Sequence, residues 1–163
     1  MWHWFEVPKK RRPTKSTSHF KQHKETARKE ILTRLTHWNQ YYNFSYNRVA
    51  IRNQRRRWGS CSSLKNLNFN YKLILLPDHL HDYVIVHELC HLKEMNHGRN
   101  FWLEVAKTIP DYKNRVQELR QIEYQYGISI AGLIKAREHY QARATTPAPP
   151  RSDGATRHQQ WLQ

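Results

Sequence analysis

The chain reads as an α+β domain in which a short antiparallel sheet packs on one buried helix carrying a metal site, with further helices around it. Three observations predict this. Segments 48–52 and 67–73 alternate apolar and polar residues with the period of two that suits a half-buried strand. Segments 20–42, 101–109 and 112–126 repeat apolar residues every three or four positions, as amphipathic helices do. Between these groups, 77–92 is apolar nearly all round, the mark of a buried helix. At 163 residues the chain supports one sizeable core with tails.

Residues 1–19 carry PKKRRP at 8–13 in a Ser/Thr-rich stretch without apolar period, so a mobile basic arm is expected. In a eukaryote that run is similar to a nuclear localisation signal. The domain proper is expected over 20–126. Its first helix sets Ala27, Ile31, Leu35, Trp38 and Tyr42 on one face among charged neighbours. Residues 43–47 break that period, and Arg48-Val49-Ala50-Ile51-Arg52 alternates like a strand. Arg55, Arg56 and Arg57 lead into Trp58-Gly59-Ser60-Cys61, where three cations beside an indole suit a phosphate backbone and a stacked base, or simply solvate a strand edge. A turn over 62–66 precedes Leu67, Phe69, Tyr71 and Leu73, which share one strand face. After the central helix, Phe101, Trp102, Val105 and Ile109 form a helix stopped by Pro110, and Tyr112, Val116, Leu119 and Tyr126 form another stopped by Gly127. A weaker helix is expected over 127–140. The segment 141–163 is rich in Pro, Ser and Thr without periodicity and reads as a disordered tail.

The chemistry lies in HELCHLKEMNH at 87–97. His87 and His91 are four residues apart, about one helical turn, so both imidazoles can reach one ion with Glu88 beside it. Pro77 and Asp78 mark the start of this helix, and Leu80, Tyr83 and Val84 continue the stripe that carries the two histidines. Buried polar groups are costly without partners, and a metal ion would satisfy them. His97 cannot reach the same ion on a continuous helix, because six further residues carry it about 9 Å along the axis. A helix end near Met95, with Asn96 and Gly98 tolerant of left-handed backbone, would return it as third ligand. Glu104 is the alternative third ligand, supplied as a carboxylate from the next helix.

Lys and Arg number 28 against 13 acidic residues, for a net charge of +15. The first 60 residues hold 15 of these cations against 3 acidic groups, whereas 61–110 has five of each. Basic charge upstream of a neutral catalytic stretch points to a polyanion partner, nucleic acid above all. Cys61 and Cys90 are too few for a disulfide framework, which suits a reducing compartment. No stretch approaches the roughly 20 apolar residues that span a bilayer. MWHWFEV is too short an apolar run for a secretory signal. A cytoplasmic protein is expected, nuclear if the source is eukaryotic, with no membrane partner.

Three motifs in order, RWGSC (57–61), LNFNYKLILLP (67–77) and VHELCHLKEMNHGRNFW (86–102), resemble the YgjP-like metallopeptidase family over about 20–125. The resemblance implies a zincin-like fold, dependence on zinc, and similarity to WLM and SprT-like proteases that cut proteins crosslinked to DNA. It makes His87, His91 and His97 the metal ligands and Glu88 the catalytic carboxylate. The sequence departs from longer members, which carry a β-rich N-terminal region where this chain has a basic arm and one helix. The histidine spacing also equals that of metzincins, but Glu94 stands where they carry glycine.

The expected activity is hydrolysis of a protein or peptide substrate. Three imidazoles would hold Zn2+ with one position open for water, and Glu88 would move its proton. Tyr112, Arg99 and His79 are candidates for a second oxyanion donor. Two other classes share these residues: a nucleic-acid-binding module with a structural zinc, for which Cys90 is the nearest thiol but turned off the histidine face, and a hydrolase of a non-peptide amide.

Overall fold

Ala27, Ile31 and Leu35 recur every four residues and are fully buried, so the first helix, α1 (Lys15–Tyr42), lies against the core along one stripe. The computed structural model describes residues 15–145. α1 begins five residues before the domain start read from the sequence, so 15–19 of the expected arm are helical; residues 1–14 lie outside the described residues. The helix stops where Asn43 takes a left-handed φ of 52° and its N–H donates to the Asn39 carbonyl at 2.7 Å. The Asn39 side chain meets both backbone groups of Phe44 at 3.0 Å and sets the exit of the chain.

Three strands follow: β1 (Arg48–Arg52), β2 (Gly59–Cys61) and β3 (Asn66–Asn70), in the order β1-β3-β2. β2 runs antiparallel to β3 with Gly59 opposite Phe69 and Cys61 opposite Leu67. β1 runs parallel to β3, from Arg48 opposite Asn66 to Arg52 opposite Asn70. The sheet is therefore mixed, which corrects the antiparallel expectation. The physical reason is the position of β2, which folds back on β3 through a turn with Lys65 at φ 55° and takes one edge of it. β1 is left with the opposite edge, and the segment between them acts as the crossover that a parallel pair needs. Asn70 fixes this crossover. Its side-chain amide donates to the carbonyls of Gln54 and Arg57 at 2.9 Å, and its own N–H donates to the Trp58 carbonyl at 2.7 Å.

β3 ends earlier than the alternation to residue 73 suggests. The Asn70 side-chain oxygen accepts the Lys72 N–H and starts a 3-10 turn, Tyr71–Leu75, that still buries Tyr71 and Leu73. Next comes α2 (Asp78–Cys90), buried on nearly every side and packed against α1, β2, α3 (Arg99–Ala106) and α4 (Tyr112–Tyr126). Arg34 of α1 clamps it by donating to Asp82 at 2.8 Å and to Asp78 at 2.7 Å. α4 stops at Gly127, whose φ of 62° is one that L side chains rarely adopt. The last helix, α5 (Ile130–Thr145), overlaps the one expected over 127–140 and extends five residues into the segment 141–163 read as tail; 146–163 lie outside the described residues. Among the described residues no helix is long and apolar enough to cross a membrane.

Candidate metal centre

α2 delivers His87 from its last turn and His91 from the position that caps its C-terminus. Its regular part ends at Cys90 rather than near Met95, and 91–94 continue as a loose turn in which Leu92 N–H donates to Leu89 and Glu94 N–H to Cys90. His97 then returns to the cluster without left-handed backbone. Gly98 has φ −75° and ψ −176°, and Asn43 and Lys65 are the positive-φ residues other than glycine among those described. What turns the chain is a tight bond from Gly98 N–H to the Asn96 carbonyl at 2.8 Å. Trp102 then fastens it: the indole N–H donates to the His97 carbonyl at 3.1 Å, and the two rings stack at 5.8 Å.

The three Nε2 atoms converge. His87 Nε2 lies 3.2 Å from His91 Nε2 and 3.0 Å from His97 Nε2. Ligand nitrogens about 2.0–2.1 Å from a tetrahedral zinc would stand roughly 3.3 Å apart. The two separations from His87 match that, and all three ligand atoms lie within 4.8 Å of one another, so His91 and His97 would close on the ion to complete the site. The protonation pattern fits as well. The only hydrogen-bonding role open to His91 Nδ1 at 3.0 Å from the Glu94 carbonyl is as donor, which leaves the Nε2 lone pair aimed at the cluster. His87 Nδ1 faces the Tyr83 hydroxyl at 3.3 Å, which can accept a hydrogen bond from its N–H and so leave the His87 Nε2 lone pair for the cluster. Burial, with His91 and His97 adding to it, depresses the His87 pKa to about 3, and burial depresses His91 too, so both rings are neutral as ligands must be.

Glu88 sits beside the imidazoles and is only 5% exposed, and its Oε2 is buried without a hydrogen-bond partner among the described residues. Burial pushes its carboxyl pKa up to about 8, against the opposing pull of the Arg57 charge. A cation bound at the imidazoles would add to the pull of Arg57 and favour the carboxylate form. The cluster and Glu88 open on a cavity of about 350 Å³, also lined by Arg57, the β2 residues Gly59, Ser60 and Cys61, and Met95.

The structure separates the other sequence candidates. Glu104 is held away from the histidines by Lys93 at 3.2 Å and Lys107 at 2.8 Å. Cys90 is buried and outside the cluster, and no fourth His, Cys, Asp or Glu joins it among the described residues. Trp58 requires a correction. It is 6% exposed and its indole N–H donates to Glu123 at 2.6 Å, so it presents no open face to a base. Arg55, Arg56 and Arg57 are exposed, as phosphate contacts require. Of the oxyanion candidates, Tyr112 stacks on Trp102 at 5.0 Å and His79 lies 2.9 Å from Glu118; neither they nor Arg99 line the cavity.

Gly59, Tyr83 and Trp102 were not legible as site residues. A Cβ at Gly59 would stand 2.6 Å from Glu88 Cγ and Oε1, so β2 and the carboxylate are in closer contact than any side chain allows. A glycine inside a strand signals such an approach without naming what approaches.

Fold and site together define a metal-dependent hydrolase. The chain belongs to the YgjP-like family: the model described as "YgjP-like, metallopeptidase domain" matches residues 3–122. Similar solved structures include the metallopeptidase zymogen of Pyrococcus abyssi abylysin, at 23% identity over 56% of this chain and 95% of that one, with a TM-score of 0.48. The metallopeptidase zymogen of Methanocaldococcus jannaschii jannalysin matches at 26% identity over 58% of this chain and 95% of that one, with a TM-score of 0.39. The comparison with curated proteins gives no significant match.

Proposed function

We propose that the chain is a zinc peptidase in which His87, His91 and His97 hold the ion and Glu88 is the general base. The observation that carries this reading is the convergence of three imidazole nitrogens beside a buried carboxylate whose second oxygen has no hydrogen-bond partner among the described residues. Zinc, when bound there, would lower the pKa of a water towards about 7 and polarise the scissile carbonyl. The Glu88 carboxylate would take the proton of the attacking water and return it to the leaving nitrogen. β2 is an edge strand of the sheet beside the cluster, so an extended peptide can pair with its free backbone edge. With three protein ligands the site keeps a position open, which supports a catalytic metal over a structural one. Nucleic acid remains part of the proposal through the exposed run Arg55–Arg57, as a phosphate contact without base stacking.

The test is metal analysis combined with a peptide-cleavage assay on the full chain, with and without DNA. Wild type should hold about one zinc and cleave. Glu88→Gln should keep the zinc and lose about 10²- to 10⁴-fold in rate, because an amide preserves shape but cannot accept the proton. Cleavage by Glu88→Gln at the wild-type rate would remove Glu88 as the base.

A further inference from the structure

The cleft does not end at the imidazoles. Past them lies a second cavity of about 390 Å³, and His87 and His97 belong to the linings of both, whereas Glu88 and His91 line the first alone. The two imidazoles are thus a shared wall, and a substrate whose reacting carbonyl sits at the cluster has a neighbouring side chain within reach of this second space.

Its walls come from three helices. Tyr83 projects from α2, Trp102 from α3, and Val116 and Leu119 from α4, where their spacing of three residues puts them on one face. These walls are already fixed. Tyr83 and Leu119 are buried, and Trp102 is held between its bond to the His97 carbonyl and its stack on Tyr112, at 5.0 Å with planes 12° apart. Arg120 and Glu123 supply the charged lining, one of each sign, and one Glu123 oxygen is taken by the Trp58 indole N–H at 2.6 Å. The pair offers no net charge to draw an ionised side chain, while Tyr83, Trp102, Val116 and Leu119 offer apolar contact to a neutral one.

We infer that this cavity is a side-chain pocket that selects a bulky neutral apolar residue, of the leucine, methionine or phenylalanine kind, next to the scissile bond. The inference rests on the peptidase reading and names the substrate class for it. Burial of such a side chain in a preformed pocket favours it over glycine by about tenfold or more.

Two measurements on the zinc-loaded full chain decide it. The first is calorimetric binding of the hydroxamates of leucine, phenylalanine and glycine, with acetohydroxamate as the probe of the metal alone. Leucine and phenylalanine hydroxamates should bind about tenfold or more tighter than the glycine compound. Val116→Phe, which fills the pocket, should cut that ratio below about threefold without changing zinc content or acetohydroxamate binding, and Leu119→Ala should shift preference towards phenylalanine. Equal binding of the three, or a ratio that survives Val116→Phe, overturns the pocket. The second is mass-spectrometric mapping of cleavage sites in a peptide library, where large apolar residues should be enriched at one position beside the cut. Enrichment of Asp, Glu, Lys or Arg there, or of nothing, also overturns the pocket while leaving the peptidase reading intact. Hydroxamate discrimination without cleavage of any peptide would instead overturn the peptidase reading, and with it the assignment to a peptide side chain.

Discussion

Replacing Gly59 with alanine should disable the site without touching a metal ligand or the base. The added Cβ would lie 2.6 Å from Glu88 Cγ and Oε1 and 2.8 Å from Cδ, whereas ordinary contact begins at 3.4 Å. The carboxyl arm must therefore withdraw by about 0.8 Å, or β2 must move by as much. α2 packs against β2, so the contact is relieved by turning the Glu88 carboxyl into the cavity it shares with β2 and the imidazoles, which takes the base out of its present place. A misplacement of about 1 Å at a reacting group costs on the order of a hundredfold in rate. Overpacking of this kind also costs about 1–3 kcal/mol of stability, offset in part by the lower unfolded-state entropy of alanine. The assay is kcat/KM on a peptide cleaved by wild type, read beside zinc content and urea unfolding. The expected result is a loss of roughly a hundredfold in kcat/KM, unchanged zinc and a modest loss of stability. Wild-type kcat/KM in Gly59→Ala would refute the argument that Gly59 sets the position of Glu88.

Trp102→Phe keeps a ring against His97 but removes the N–H that holds its carbonyl, so competition with a chelator should show zinc affinity about tenfold weaker, a smaller loss than His97→Ala gives; unchanged affinity would mean that the 91–98 turn holds His97 unaided. Arg55→Ala combined with Arg56→Ala should lower the slope of log K against log[salt] for duplex DNA by up to about 1.8 if both touch phosphate, and no binding by wild type at low salt would leave that charge as a solubility feature.

Period and spacing reported which residues are buried and which two histidines share a turn, because both are local properties of a helix. Ala27, Ile31 and Leu35 line one face for that reason, and His87 and His91 meet because one turn separates them. Pairing between strands is not local. Alternation in 48–52 said that one face is buried and nothing about which neighbour the strand would find, so the parallel match of β1 to β3 was out of reach. The third histidine was legible as a requirement and misjudged as a mechanism. The offset of His97 demanded a return of the chain, but the return uses extended backbone at Gly98 and an indole N–H five residues away in sequence, neither of which the identity of Asn96 or Gly98 discloses.

Arg55 to Trp58 looked like one feature in the sequence, and the structure splits it. Residues 55–58 lie in the bent stretch between β1 and β2, where Trp58 enters the core towards Glu123 while Arg55, Arg56 and Arg57 stay exposed. Arg57 is then set apart from Arg55 and Arg56 as well, because it lines the cleft and its charge acts on Glu88, whereas they do neither. A triple alanine variant would therefore confuse two roles. Loss of Arg55 and Arg56 alone bears on a polyanion partner. Loss of Arg57 also removes the one lysine or arginine among the described residues that lines the Glu88 cavity, so it should alter peptide cleavage even where no nucleic acid is present. If Arg57→Ala and the Arg55, Arg56 pair changed cleavage and salt dependence in the same proportion, the two roles would be one, and the cleft itself would be where a polyanion binds.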